Sequence, residues 1–137
     1  MKSSDKEKLL REAEMVKVNA FAPYSKFRVG CAILLKNSEI YSGANIESSS
    51  YVCGICAERN ALSTVYGKGY RKEDIVAIAL CSDSKEFVTP CGMCRQLICE
   101  LVDPDVTLFL INQKREVKEI KVRKLLPYLF NDEILKG

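Results

Sequence analysis

Histidine is absent from this 137-residue chain, so any metal site it builds must lean on thiolates. No apolar run approaches the roughly 20 residues needed to cross a bilayer as a helix. The stretch from Met1 to Arg11 is charged and lacks the apolar core of a secretory signal. Both absences point to a cytoplasmic protein. An excess of one charge is missing too: 21 Lys and Arg face 18 Asp and Glu, for a net +3. That balance argues against a polyanion as the main partner. The densest basic stretch, Lys114 to Lys124, is interrupted by Glu116 and Glu119 and reads as a solvated face rather than a phosphate-binding stripe. Repeats, low-complexity segments and linkers are also missing, so a single domain over 1–137 is expected, large enough to bury roughly two thirds of its unfolded surface.

Cysteine, by contrast, is plentiful, with seven in the chain. The number is odd and the expected compartment reducing, which disfavours a disulfide framework and favours metal ligation or catalysis. Hydrophobic residues make up 47% and charged residues 28%, a composition that supports a packed core.

Ser4 and Glu7 have capping-box spacing, and Leu9, Ala13, Val16 and Ala20 recur at helical intervals, predicting a helix over 5–20 that ends before Pro23. Val29 to Leu35 and Ile40 to Ala44, separated by a polar turn, predict a hairpin. Residues 45–54 read as loop. A second helix spans 55–66 and stops at Gly67-Lys68-Gly69. The continuous apolar run from Ile75 to Cys81 predicts a central strand covered on both faces. Pro90 opens a third helix over 91–101. Val106 to Ile111 and the weaker Val117 to Ile120 are strands, and 122–126 a short helix stopped by Pro127. This order implies an α/β fold, a three-layer α/β/α sandwich on a mixed five-stranded sheet.

Two cysteine pairs have metal-ligand spacing, Cys53-Gly54-Ile55-Cys56 and Cys91-Gly92-Met93-Cys94. One reading is a closed four-cysteine structural site, but 34 residues separate Cys56 from Cys91, against about 15–20 in small ribbons. The other uses Cys56, Cys91 and Cys94, all near helix N-termini, where the dipole favours thiolates. Three protein ligands leave one position open, the arrangement of a catalytic zinc. Glu58, two residues beyond a ligand, then becomes the decisive neighbour, able to take a proton from water. Combined with Pro90-Cys91-x-x-Cys94, this is the paired signature of zinc deaminases acting on cytosine or adenine. Cys31, Cys81 and Cys99 read as small apolar residues inside strands and a helix. A thioredoxin-like role for either CxxC pair is the weaker alternative.

Several segments beyond the cysteines resemble the small, homotetrameric cytidine deaminases: Ala22-Pro23-Tyr24-Ser25-Lys26-Phe27-Arg28-Val29-Gly30, Gly43-Ala44-Asn45-Ile46-Glu47, Cys56-Ala57-Glu58-Arg59, Pro90-Cys91-Gly92-x-Cys94-Arg95-Gln96 and Leu125-Leu126-Pro127. The resemblance covers roughly 20–130. It implies one zinc per subunit, with Asn45 and Glu47 on the ribose and Phe27 against the pyrimidine. Phe130 would reach the neighbouring protomer's site, and the Thr89 backbone would receive the amino group. Arg59 would donate to a ligand sulfur, offsetting the net charge of −1 that three thiolates leave on one zinc. Ser48, Ser49 and Phe21 depart from the family's usual Asn, Ala and Tyr, and the first two, beside the ribose loop, bear on substrate preference.

The activity so implied is hydrolytic deamination of cytidine and 2′-deoxycytidine in pyrimidine salvage, with Glu58 as proton shuttle. The partner is a small nucleoside, not a nucleic acid polymer or a membrane. Two alternatives are a deaminase of another nucleoside or nucleotide, and a structural-zinc module with Cys53 as fourth ligand.

Overall fold

The structure is a computed structural model and describes residues 1–136; Gly137, the last residue of the expected domain, lies outside the described residues. Nine elements follow in order: α1 (Ser3–Lys17), β1 (Val29–Leu35), β2 (Ile40–Ala44), α2 (Ala57–Gly67), β3 (Ile75–Ser82), α3 (Gly92–Leu101), β4 (Thr107–Ile111), β5 (Val117–Lys121) and α4 (Asp132–Lys136). The strands form one sheet in the order β2-β1-β3-β4-β5. Only β3 and β4 run parallel; the other pairs are antiparallel, so the sheet is mixed as expected.

Strand alternation divides the core into two layers. Cys31, Ile33 and Leu35 face α2 and α3 together with Ile78, Leu80, Leu108 and Leu110. Ala32, Leu34, Ala77, Ala79, Phe109 and Ile111 face α1, which contributes Leu9 and Ala13. Each fully buried Leu or Ile contributes about 1.5–3 kcal/mol. The alanines on the α1 face let that helix lie close to the sheet. Gly30 marks the closest approach: a Cβ there would sit 2.3 Å from the Ala13 carbonyl oxygen. At Gly43 a Cβ would meet the Cβ of Asn60 on α2 at 2.7 Å. The three-layer α/β/α sandwich follows, and β3 lies at its centre.

Four local expectations are corrected. The first helix ends at Lys17 rather than 20, because the amides of Asn19 and Ala20 bond back three residues in a tighter turn. That turn delivers Phe21 to Asn45 and Glu47, with which its backbone pairs. The Ser4–Glu7 capping box does not form: Ser4 lies inside the helix, Lys2 is the cap, and no side chain caps it. Residues 45–54 are not plain loop, since Tyr51–Cys53 forms a 3-10 turn and Ile46 bridges both Phe21 and Ile55. The helix expected over 122–126 is a 3-10 turn over Val122–Lys124, its first two amides taken by the Val106 and Pro104 carbonyls. Gly69, at φ +94°, supplies the positive φ that ends the α2 region. No helix among the described residues is long and apolar enough to cross a membrane.

One ion cluster ties three of these elements together. Asp83, just after β3, accepts from Lys17 Nζ at 3.0 Å and from the Arg28 amide and Nε at 3.1 and 2.9 Å. Partial burial pushes its carboxyl up, but Arg28 and Lys17 outweigh that and hold it at about 2. Because the folded value lies below the unfolded one, the stabilisation is present above roughly pH 4 and is lost as pH falls through about 2. Asp83→Asn is therefore expected to lower the urea-unfolding free energy by about 1 kcal/mol at pH 6, after allowance for solvent screening, with the difference from wild type vanishing near pH 2. A difference that persists at pH 2 would show the charge to be irrelevant.

Candidate active site

Two helix N-termini meet above the C-terminal end of β3. Cys56 is the cap residue of α2 and Cys91 that of α3, while Cys94 sits in the first turn of α3. Neither cap makes a side-chain hydrogen bond to its helix, so both sulfurs are left to point elsewhere. Their destination is one another: the sulfurs of Cys56, Cys91 and Cys94 all lie within 4.8 Å, and Cys56 and Cys91 are 3.8 Å apart. Cys94 is fully buried, Cys56 partly so, and Cys91 exposed. Cys53, the fourth member of the two pairs, is exposed and outside this group.

This donor set fits zinc. Two sulfurs each about 2.3 Å from one tetrahedral ion stand about 3.8 Å apart. Three thiols of unperturbed acidity would be a poor ligand set at neutral pH, but hydrogen bonding from Cys94 holds the Cys56 thiol down at about 6, helped by Cys91 and Arg59 and opposed by partial burial. The Cys94 thiol, donor in that pair and largely withdrawn from water, is pushed upward.

Glu58 lies in the first turn of α2, only 5% exposed. Burial raises its carboxyl to about 7, and the neighbouring Cys56 adds to the effect against the pull of its own backbone amide and Arg59. A group poised there can both accept and return a proton near neutral pH. It lines a cavity of about 300 Å³ together with Phe27, Asn45, Cys56, Thr89 and Cys91. A second cavity, of about 250 Å³, adjoins it through Asn45 and Cys56 and is lined by Glu47, Ser48 and Tyr51.

Fold and sequence explain how the walls are held. Asn45, at the end of β2, accepts from the Val29 amide at 2.9 Å and donates to the Phe27 carbonyl at 3.0 Å, which sets the Phe27 segment against the sheet. Glu47 accepts from the Tyr24 and Ser25 amides at 3.0 and 3.1 Å and from the Ser25 hydroxyl. Those bonds, the Ser25 hydroxyl foremost, hold its carboxyl below the usual carboxylate range. Each side chain keeps unused hydrogen-bonding capacity toward the cavities.

Residues 3–110 match the family described as the cytidine and deoxycytidylate deaminase zinc-binding region. The chain belongs to that family. Its helix-borne cysteines and buried glutamate stand inside the matched segment. The chain is 44% identical over 129 residues to a cytidine deaminase of Halalkalibacterium halodurans, covering 94% of this chain and 96% of that one. It is 41% identical to a cytidine deaminase of Sporosarcina psychrophila, over 96% and 95% of the two chains. The crystal structure of cytidine deaminase from Burkholderia pseudomallei superposes with a TM-score of 0.87 at 35% identity, covering 95% of this chain and all of that one.

The geometry brings Phe27, Asn45, Cys56, Glu58 and Cys91 to one cavity and Glu47 to its neighbour. It does not bring Phe130 there: that residue is half-exposed, and its carbonyl accepts from Gln96 Nε2 at 2.7 Å. Arg59 donates to Met93 Sδ and the Gly54 carbonyl. Sequence reading gave no role to Arg95, whose guanidinium donates to the Pro90 carbonyl, the Leu125 carbonyl and the Thr89 hydroxyl, so fixing the loop that carries Thr89 and Cys91. Its position next to Cys94 was the available signal. Ser25 stands in the family-like segment 22–30 and Met93 between two candidate ligands, but sequence reading gave neither a role, because the partners they touch, Glu47 and Arg59, are distant in the chain.

Proposed function

We propose that this deaminase-family chain hydrolytically deaminates cytidine and 2′-deoxycytidine, giving the uridine product and ammonia. The observation that carries the reading is a buried carboxylate, Glu58, on the wall of the cavity that also holds Cys56 and Cys91. Cys56, Cys91 and Cys94 would hold one zinc ion, which when bound supplies the Lewis acidity that makes water a nucleophile at neutral pH. Glu58 takes a proton from the attacking water and delivers it to N3 of the pyrimidine, which makes C4 electrophilic. The hydroxide adds to C4, and the same carboxylate then takes the proton of the new C4 hydroxyl and passes it to the amine, which leaves as ammonia as the C4–N bond breaks and the C4 carbonyl forms.

Phe27 offers the base an apolar wall, and the Thr89 backbone a partner for the amino group. Asn45 and Glu47 face the sugar, chiefly its 3′-hydroxyl, with the amide hydrogen and carboxylate lone pairs left after their internal bonds. A nucleoside substrate, rather than a polymer, agrees with two adjoining cavities of about 300 and 250 Å³ and with a net charge of only +3. Arg59, beside Cys56, would offset the negative charge of three thiolates.

Tyr51, on the wall of the second cavity, and its neighbour Val52 are both 88% exposed. Apolar surface beside the site supports association with a second copy of the chain, and the family resemblance makes that assembly a homotetramer in which Phe130 of one subunit completes a neighbour's site. A cytoplasmic salvage enzyme is the role consistent with this substrate.

Purified protein incubated with cytidine is expected to convert it to uridine with one ammonia released per turnover, followed by ultraviolet absorbance and an ammonia assay. Cys53→Ser should retain both zinc and activity. Loss of zinc in Cys53→Ser would instead favour a four-cysteine structural site.

A further inference from the structure

Arg59 occupies the first turn of α2, and its guanidinium is held at two points. Nη1 donates to Met93 Sδ at 3.0 Å, and Nη2 to the Gly54 carbonyl at 2.9 Å. Its Nε, among the described residues, is the one buried side-chain nitrogen or oxygen without a hydrogen-bond partner. Gly54 belongs to the turn that leads into Cys56, and Met93 stands between Cys91 and Cys94. The guanidinium therefore links the approach to one cysteine with the helix end that carries the other two.

Met93 is 64% exposed, so core packing does not account for its place in the first turn of α3. The contact its sulfur makes does. A thioether is a weak, polarisable and neutral acceptor. It fixes one N–H of the guanidinium without cancelling the positive charge beside the thiolates, as a carboxylate would. An alanine there could not reach Arg59, and a leucine would reach it with nothing to accept the hydrogen.

We propose that Met93 is a positioning residue, its thioether holding the Arg59 guanidinium as a brace between the two cysteine-bearing helix ends. The proposal rests on the reading of Cys56, Cys91 and Cys94 as the zinc ligands. Its effect is exerted through Arg59 alone.

Zinc release from the loaded protein to a chromophoric chelator tests this at neutral pH and fixed ionic strength. Met93→Leu is expected to speed release about tenfold, the lower end of what loss of a contact supporting a ligand shell produces. In an Arg59→Ala background the same change should add nothing. The Arg59 Nε–H signal of ¹⁵N-labelled Met93→Leu protein should also exchange faster with solvent than in wild type, a reading that does not depend on the Arg59→Ala variant folding. Unchanged release and unchanged Nε–H exchange in Met93→Leu overturn the proposal, as does a full tenfold effect in the Arg59→Ala background. Wild-type protein that takes up no zinc overturns the metal-site reading together with it, so the two failures are told apart by the wild-type control.

Discussion

Glu58→Gln is expected to lower kcat by about 10⁴-fold, at the upper end of what one general acid–base group contributes, because in the proposed mechanism this side chain moves every proton. Glutamine keeps the shape and can still accept a hydrogen bond, but it cannot take a proton from water or return one to the leaving amine. Stability should not fall with it. The carboxylate is only 5% exposed, and burial is what raises it to about 7, so an amide in its place removes a desolvation cost rather than adding one. Steady-state turnover, zinc content and the unfolding midpoint, measured on one preparation, separate these effects. Turnover within tenfold of wild type at full zinc content would refute the proton-shuttle role, whereas lost zinc would assign Glu58 to the ligand shell.

Stripping the metal with a chelator, or replacing Cys94 with serine, should reduce activity to below about 1% of wild type while leaving the far-ultraviolet circular dichroism intact, since without the ion water loses the acidity the reaction needs. The expectation that the fold survives comes from where the core lies. The two apolar layers are built from strand residues and from Leu9, Ala13, Ala61, Leu62, Val65 and Ile98, and the three sulfurs meet at the helix ends beyond them. This differs from a small zinc module, where the metal substitutes for a core and its removal unfolds the chain. Readdition of zinc should restore activity to the chelated protein. Collapse of the helical signal on chelation would show the ion to be structural.

Much of both fold and site is legible in the chain because the relevant signals are local. Two apolar runs separated by a polar turn place β1 and β2, the unbroken apolar run marks β3 as central, and Pro90 announces α3. Cys56 and Glu58 lie two residues apart, so a single helix turn suffices to carry both to one cavity. The Cys-x-x-Cys spacing similarly places Cys91 and Cys94 on one helix end. Where local signals compete with distant ones, reading fails. Ser4 and Glu7 have the spacing of a cap, yet the helix begins earlier. Val122 to Leu126 has a helical pattern, yet the Val106 and Pro104 carbonyls capture its first amides and leave a single tight turn.

The amino-acid sequence alone limits which groups can do chemistry: with no histidine, any metal site must lean on thiolates, and Glu58 lies two residues beyond one of the cysteines. It also determined the alternation of elements that makes a mixed sheet with helices on both faces. Which three of the seven cysteines converge follows from packing, since Cys56 and Cys91 are separated by a helix and a strand and meet at 3.8 Å because α2 and α3 pack on one face of the sheet. The same packing leaves Cys53 outside, buries Glu58 and sets Met93 on Arg59. The physical reason is common to all of these. Residue type and spacing specify what a short segment can donate, whereas burial and charge proximity, which tune a thiol or a carboxyl, exist only once distant segments have packed together.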